Sequence, residues 1–147
     1  MREILFRGKT KRGKWVEGLL GCNYFRPNEK YYYIHNCETD DIEHEVIPET
    51  IEQFTGLTDK NEKKIFEGDI VKVFYIEKRD YHGVKYDDEF EMIEMVVYNE
   101  NSACFMLEID NEGITMFRPL HDFGNNVFIK SIEVIGNIHD NPELLGE

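Results

Sequence analysis

Short segments in which apolar and polar residues alternate dominate this chain, and they limit it to a fold built from strands. The clearest is DIVKVFYIEK, residues 69–78, in which apolar side chains surround Lys72 and Lys78. EMIEMVVYNE, SACFMLEI and GITMFRPL follow the same pattern, with turn residues such as Asn and Gly between them. Asn and Gly favour turns because they tolerate positive φ. This spacing of strands and turns predicts an antiparallel barrel or sandwich.

The first part of the chain predicts an N-terminal hairpin and one short helix. EILFRGK and KWVEGLLG are extended segments on either side of a turn at Gly13, which is a hairpin pattern. YYYIH, residues 31–35, has strong strand propensity. Pro48–Gly56 predicts a helix, because Pro and Glu stand at its start, Gly stands at its end, and Ile51 and Phe54 are three residues apart.

The length of 147 residues predicts one domain covering residues 1–147. A possible subdivision separates an N-terminal hairpin module, residues 1–47, from a barrel, residues 48–147. Within the second part, KRDYHGVKYDDEFE, residues 78–91, is polar and centres on His82-Gly83. It predicts a long exposed hairpin tip between two strands.

The motif FTGLTDKNEKKIFEGDIVKV, residues 54–73, raises the question of a carboxylate site. It places Asp59, Glu67 and Asp69 near Gly68 and a lysine cluster. Asp side chains accept hydrogen bonds from nearby backbone N–H groups in turns, and Gly adopts positive φ readily. We therefore favour structural turns over a catalytic or metal site, with Asp59 in a polar turn and Gly68 and Asp69 at the corner before the next strand.

The charge of the chain is strongly negative and unevenly distributed. The formal net charge is -13, which disfavours non-specific binding to phosphate backbones. Residues 2–14 are predominantly basic, whereas residues 38–52 contain seven acidic residues and no Lys or Arg. Two solvated surfaces are the favoured interpretation. End-to-end self-association or a charged partner is the alternative.

Metal binding and catalysis have little support in the residue spacing. Cys22, Cys37 and Cys104 are widely separated and form no CxxC motif, so they predict reduced thiols. His35, Cys37 and His44 lie close in sequence but lack clear third and fourth zinc ligands. No GxSxG elbow, P-loop or dinucleotide fingerprint is present. We expect no cofactor, no metal and no enzymatic activity.

A cluster of aromatic residues is the candidate interaction surface, formed by Phe25, Arg26, Tyr31, Tyr32 and Tyr33. Three consecutive tyrosines in a strand put aromatic rings on both faces, so at least one ring is expected to face outward. Aromatic residues are enriched at protein interfaces, which favours a protein-interaction or self-assembling module. A small barrel that binds single-stranded nucleic acid by stacking is the alternative. An acidic DNA mimic follows from the charge alone.

No apolar run approaches the roughly 20 residues that a membrane helix needs, and the N-terminus lacks a signal-peptide core. The sequence therefore predicts a cytoplasmic protein with no membrane partner.

Three motifs occur in a characteristic order: REILFRGK…GKWVEGLL, VIPETIEQFTGLTDKNEKKIFEGDIVKV and IEVIGNIHDNPELL. Together they resemble the YopX family of phage and prophage proteins, from residue 2 to residue 145. The resemblance implies a partly open SH3-like barrel with the N-terminal hairpin as an extension, and an origin in phage or prophage DNA. It implies no activity and no site residues, because the family has no known function. Glu62 stands where the family usually has Gly, and His139 where an aromatic residue is usual.

Overall fold

The structure is a computed structural model that describes residues 3–36, 42–111, 114–120 and 126–146. Strands make up most of these residues. The mainly β prediction is confirmed. Helix in these residues is limited to two 3-10 segments, Pro48–Thr50 and Pro142–Leu145. The strands are β1 Phe6–Lys9, β2 Trp15–Arg26, β3 Glu29–His35, β4 Glu43–Val46, β5 Glu52–Thr58, β6 Lys64–Phe66, β7 Asp69–Tyr81, β8 Val84–Asn99, β9 Cys104–Asn111, β10 Ile114–Pro119 and β11 Val127–Asn137.

The chain divides into two compact units, Met1–Leu57 and Thr58–Glu147. The first contains an antiparallel sheet with the strand order β4-β3-β2-β1-β5. The second contains an antiparallel sheet with the order β10-β9-β8-β7-β11. In each sheet the first and the last strand are not paired with each other, so the described strands form open sheets and not a closed barrel. The boundary between the units, after Leu57, falls later in the chain than the predicted boundary at residue 48. That residues 1–147 form a single domain stays a prediction.

The first unit has a small apolar core on one face of its sheet. Val16, Ile34 and Val46 form its buried centre. A buried ion pair joins directly paired residues of β1 and β5, where Arg7 Nε donates to Glu52 Oε2 at 2.5 Å. Charged side chains are buried at a large desolvation cost unless they are paired, so this pair ties β1 to β5 in one register.

The second unit has the larger core, and strand alternation builds it. In β7, Val71, Val73 and Tyr75 are fully buried, while the intervening Lys72 and Phe74 are not. This is the alternation that the sequence pattern predicts. The buried members of the cluster are Ile65, Val71, Val73, Tyr75, Val96 and Leu107.

The helix predicted over Pro48–Gly56 is wrong beyond its first turn. A 3-10 segment ends at Thr50, and β5 begins at Glu52 and pairs with β1. Both Glu52 and Phe54 are buried, as expected for alternate residues of a strand. The proline start signal was correct, but pairing with β1 and the Arg7–Glu52 ion pair decide the conformation that follows.

The hairpin tip predicted for residues 78–91 is confirmed as a continuous pairing of β7 with β8. The register runs from Ile70 opposite Met95 to Tyr81 opposite Val84. The two turn residues have positive φ, 52° at His82 and 82° at Gly83. Such two-residue turns match the right-handed twist of the flanking strands.

Candidate interaction surface

A hairpin arm in the first unit carries the aromatic residues that the sequence suggested. β2 pairs with β3 over nearly the whole length of β3. The neighbouring strands pair only with the base of this hairpin, because β1 reaches Gly18 of β2 and β4 reaches Tyr32 of β3. The distal part of the hairpin therefore extends beyond its neighbours in the sheet, and most of its side chains are exposed.

Three aromatic rings form a row on one side of this arm, and we call Phe25, Tyr31 and Tyr33 the aromatic face. The rings of Phe25 and Tyr31 are stacked with centroids 4.4 Å apart. Those of Tyr31 and Tyr33 are tilted, with centroids 6.1 Å apart. Phe25 is 66% exposed, whereas Tyr31 and Tyr33 are half-buried. A row of this kind presents flat apolar area to a partner.

Tyr32 does not belong to the aromatic face. Strand alternation turns its side chain to the other side of the sheet, where it packs against the core of Val16, Ile34 and Val46. The expectation that consecutive tyrosines lie on both faces agrees with this arrangement. Of the five candidate residues, Tyr32 has the clearest structural role.

Gly21 supports the aromatic face, a role that the sequence analysis did not predict. Gly21 is paired with Tyr33 across the hairpin. A Cβ atom at Gly21 would collide with the Tyr33 ring, since the ring lies directly over the glycine. A glycine inside a strand is the usual sign of such a close approach.

The charged residues of the arm lie at its end. Arg26 faces Glu29 at 4.0 Å, and both side chains are strongly exposed. Lys30 Nζ lies 4.6 Å from the centroid of the Tyr32 ring. A hydrogen bond with Tyr32 raises the pKa of Lys30 above its ordinary value. Arg26 thus adds a cation near the row of rings without being part of the stack.

The basic and acidic segments of the sequence come together within the first unit. Lys11 Nζ lies 2.7 Å from Glu45 Oε1. A groove of about 420 Å³ separates the basic turn after β1 from the acidic strand β4, and its lining includes Arg12, Lys14 and Glu43. The two charge runs therefore compensate each other locally, which weakens the case for end-to-end association through them. Residues 38–41 lie outside the described residues.

Asp59 lies in a tight polar turn of the second unit. Its Oδ1 accepts hydrogen bonds from the N–H groups of Asn61 and Lys63, and its Oδ2 accepts one from Val134 of β11. Burial by itself raises the pKa of Asp59, but these three backbone donors outweigh burial and hold the pKa below its ordinary value. Three backbone N–H groups thus hold this carboxylate in place, which gives Asp59 a structural role.

Gly68 and Asp69 form the corner at which β7 begins. Gly68 has φ of 75°, its N–H donates to the Val96 carbonyl, and its own carbonyl accepts the Ile138 N–H. Asp69 is fully buried, and its Oδ2 accepts the Phe66 N–H at 2.8 Å. The corner connects three parts of the second unit through backbone hydrogen bonds.

The residues considered for metal or thiol chemistry do not form a constellation in the described part of the chain. No group of three or more His, Cys, Asp and Glu side chains there could hold a metal ion. His35 lies opposite Glu43 and His44 opposite Ile34 in the β3–β4 pairing. Cys22 and Cys104 are exposed free thiols, and Cys37 lies outside the described residues.

A buried polar cluster in the second unit was missed by the sequence reasoning. Tyr75 Oη donates to Glu94 Oε1 at 2.6 Å, and the Arg118 guanidinium carbon lies 5.7 Å from the centroid of the Tyr75 ring. Glu94 is fully buried, and its Oε2 has no hydrogen-bond partner among the described residues. Burial raises the pKa of Glu94 above its ordinary value. The sequence does contain one sign of this cluster. Glu94 stands between Met92 and Val96 on the face of β8 that the alternation assigns to the core.

Comparisons with known proteins bear on the family. No helix in the described ranges is long and apolar enough to cross a bilayer. Among solved structures, the crystal structure of protein EF1440 from Enterococcus faecalis is similar, with 22% identity, a TM-score of 0.44 and 99% of each chain covered. A search of curated proteins finds no match. A model of the YopX protein family matches residues 6–146. The resemblance seen in the sequence is confirmed: this chain belongs to the YopX family.

Proposed function

We propose that this protein is a non-enzymatic interaction module that binds another protein through the aromatic face of the β2–β3 arm. The observation that carries the proposal is the row of Phe25, Tyr31 and Tyr33 on a hairpin that extends beyond its neighbouring strands. Stacked rings hold one another in place, so little side-chain entropy is lost when a partner covers them.

The chemistry of the arm suits a protein partner. Aromatic residues and Arg are enriched in the energetically dominant part of protein interfaces, and the arm offers both, since Arg26 lies near the rings. The partner belongs, in this proposal, to a bacterial host or its phage, with the protein encoded by a prophage or mobile element and acting in the cytoplasm. An SH3-like relationship of the strands in the second unit is part of the same proposal.

A pull-down from bacterial lysate, with and without nuclease, tests the proposal. The protein should capture a partner that survives nuclease treatment and is lost in the double variant Phe25→Ala/Tyr31→Ala. Tyr24→Ala is the matched control, because Tyr24 lies on the same strand, is 59% exposed and has its side chain on the opposite side of the arm. If both variants capture the partner equally well, the partner does not bind the aromatic face and the proposal is wrong.

Self-assembly is a specific form of the same proposal. Light scattering on the purified chain measures it directly, and the Phe25→Ala/Tyr31→Ala variant should then dissociate. A strict monomer at high concentration leaves a different protein as the partner.

Single-stranded nucleic acid is the second candidate, because the stacked rings resemble the platforms on which bases stack. The net charge of -13 opposes it. Labelled single-stranded DNA titrated at low salt decides between the two. Tight binding that weakens in the Phe25→Ala/Tyr31→Ala variant favours nucleic acid, and no binding at micromolar protein removes this candidate.

A further inference from the structure

The β7–β8 hairpin of the second unit extends beyond both of its neighbours. β11 pairs with β7 only as far as Glu77, and β9 pairs with β8 only from Met95 onward. Between Val84 and Glu94, β8 therefore has β7 on one side and no strand of the described residues on the other. Unpaired N–H and C=O groups on such an edge are a template for another strand.

The exposed part of this edge has two chemically different faces. Val84, Tyr86 and Phe90 point to the face that carries Tyr75, and they are 66%, 43% and 37% exposed. The alternate residues, which include Asp87, Glu89 and Glu91, point to the other face. The first face is thus mainly apolar, although it also carries Asp88, which is ion-paired with Arg79. The second face is mainly acidic and carries Lys85 near the hairpin turn.

The opposite edge of the same sheet is covered. The Asp59 carboxylate accepts the Val134 N–H, and the Lys60 N–H donates to the Ile132 carbonyl at 2.9 Å. The turn after β5 therefore occupies hydrogen-bonding groups of β11 that would otherwise attract a strand. Natural sheets commonly protect their edges in this way, whereas no hydrogen bond from the described residues covers the β8 edge between residues 84 and 91.

A second copy of the chain is a poor occupant for the β8 edge. An antiparallel register centred on Asp88 would align Tyr86 with Phe90, the best apolar match. The same register places Asp88 opposite itself and Asp87 opposite Glu89. Like charges directly opposite each other destabilise a strand pair.

Charge complementarity points to a basic strand instead. Asp87 and Glu91 are exposed, and surface ion pairs join Glu91 to Lys72 and Glu89 to Lys130. Such pairs contribute little and can be exchanged. A strand added beside β8 would place its own side chains directly opposite these carboxylates on one face and opposite the aromatic residues on the other.

We propose that the β8 edge, residues 84–91, binds an extended polypeptide segment in which apolar and basic residues alternate, by addition of a strand to the sheet. Backbone hydrogen bonds supply the affinity, Val84, Tyr86 and Phe90 contact the apolar residues, and the carboxylates contact the basic ones. This site lies in the second unit and does not rest on the aromatic face of the first.

The experiment uses a fluorescent peptide of alternating valine and lysine, and the full chain at about 150 mM salt, where long-range attraction is screened. Binding is expected, and hydrogen exchange should show protection of backbone amides in residues 84–91. The same peptide with alternate backbone nitrogens methylated cannot add as a strand, and it should bind about tenfold more weakly or worse. Equal binding of the two peptides, no binding of either, or protection confined to other residues would each overturn the proposal.

A charge-matched pair of variants separates the edge from the overall negative charge. Asp87→Lys should weaken binding of the alternating peptide by about three- to fivefold, since it puts like charges opposite each other. Glu100→Lys changes the net charge equally in the exposed turn after β8 and should have a much smaller effect. Equal losses in the two variants would show attraction by net charge alone and contradict the proposal.

Discussion

At the residue scale, Gly68 and Glu62 are two of the positions in the second unit that have left-handed backbone, and only Gly68 is a glycine. Gly68 has φ of 75° and Glu62 has φ of 64°. Left-handed backbone costs a residue with a Cβ roughly 1–2 kcal/mol, and a β-branched residue tolerates it worst. Replacing Gly68 should therefore lower the stability of the protein, whereas replacing Glu62 by Gly should raise it.

Replacement of Gly68 by Val should destabilise the fold by more than about 1 kcal/mol, because Val would be forced into left-handed backbone. Urea denaturation of the two proteins measures the change. Gly68→Ala is the graded control and should cost less than Val. An unchanged midpoint for Gly68→Val would refute the argument.

Replacement of Glu62 by Gly should stabilise the protein by about 0.5–1 kcal/mol, since the relief of left-handed strain exceeds the added flexibility of the unfolded chain. The YopX resemblance implies Gly at this position, and the positive φ supplies the reason. The melting temperature measures the gain. Glu62→Ala keeps a Cβ and should show no such gain; equal stabilisation by Ala and Gly would contradict the explanation.

The buried Glu94 makes a pH-dependent contribution. Burial raises its pKa, so folding favours the protonated form; the cost of ionisation is absent at low pH and grows as pH rises through the unfolded-state pKa. Glu94→Gln removes this dependence. The free energy of unfolding of the variant should therefore improve relative to wild type between about pH 4 and pH 7, on the order of 1 kcal/mol. Glu91→Gln, at an exposed position of the same strand, should show little change, and a flat difference for Glu94→Gln would contradict the argument.

At the scale of elements, pairing with neighbouring strands overrides local signals. The segment after Pro48 has good helix start and stop residues, yet it becomes β5 because β1 pairs with it and Arg7 meets Glu52. Residues 84–87 of β8 are strongly exposed, yet they are a regular strand because the turn at His82-Gly83 sets the register. Local propensity decides a conformation only where no partner strand competes.

The Asp59 turn is the element that covers the β11 edge. Asp59→Ala removes the carboxylate that accepts hydrogen bonds from three backbone N–H groups, and it should destabilise the protein by about 2–3 kcal/mol at neutral pH. The pKa of Asp59 is lowered in the fold, so this stability is present above the unfolded-state pKa and is lost as pH falls through the folded pKa.

Chemical denaturation at pH 7 and at about pH 3 measures this loss, and the difference between wild type and Asp59→Ala should shrink at the lower pH. Asp80→Ala is the control, because Asp80 accepts the Gly83 N–H at the exposed end of β7 and has no role in the Asp59 turn. A deficit that is the same at both pH values would count against the carboxylate as the cause.

At the scale of the whole molecule, the net charge of -13 opposes compaction through self-repulsion. The Debye length falls from about 30 Å at 0.01 M salt to about 10 Å at 0.1 M, so added salt should raise the melting temperature by a few degrees at pH 7. Near the isoelectric point of about 4.8 the same addition should have little effect. A salt-induced decrease at pH 7 would mean that attractive ion pairs outweigh the repulsion.

The sequence by itself determined the strand-rich composition, the family and the hairpin centred on His82-Gly83, and it predicted turn roles for Asp59, Gly68 and Asp69. These features follow from local chemistry: side-chain periodicity, backbone freedom at glycine, and short-range hydrogen bonding by Asp. The tertiary structure decided which strands pair, that Tyr32 lies apart from Tyr31 and Tyr33, and that Gly21 supports the Tyr33 ring. It also decided that Glu94 is buried beside Tyr75, and that residues 84–94 of β8 pair only with β7 among the described strands. These depend on contacts between residues far apart in the chain, which periodicity does not record.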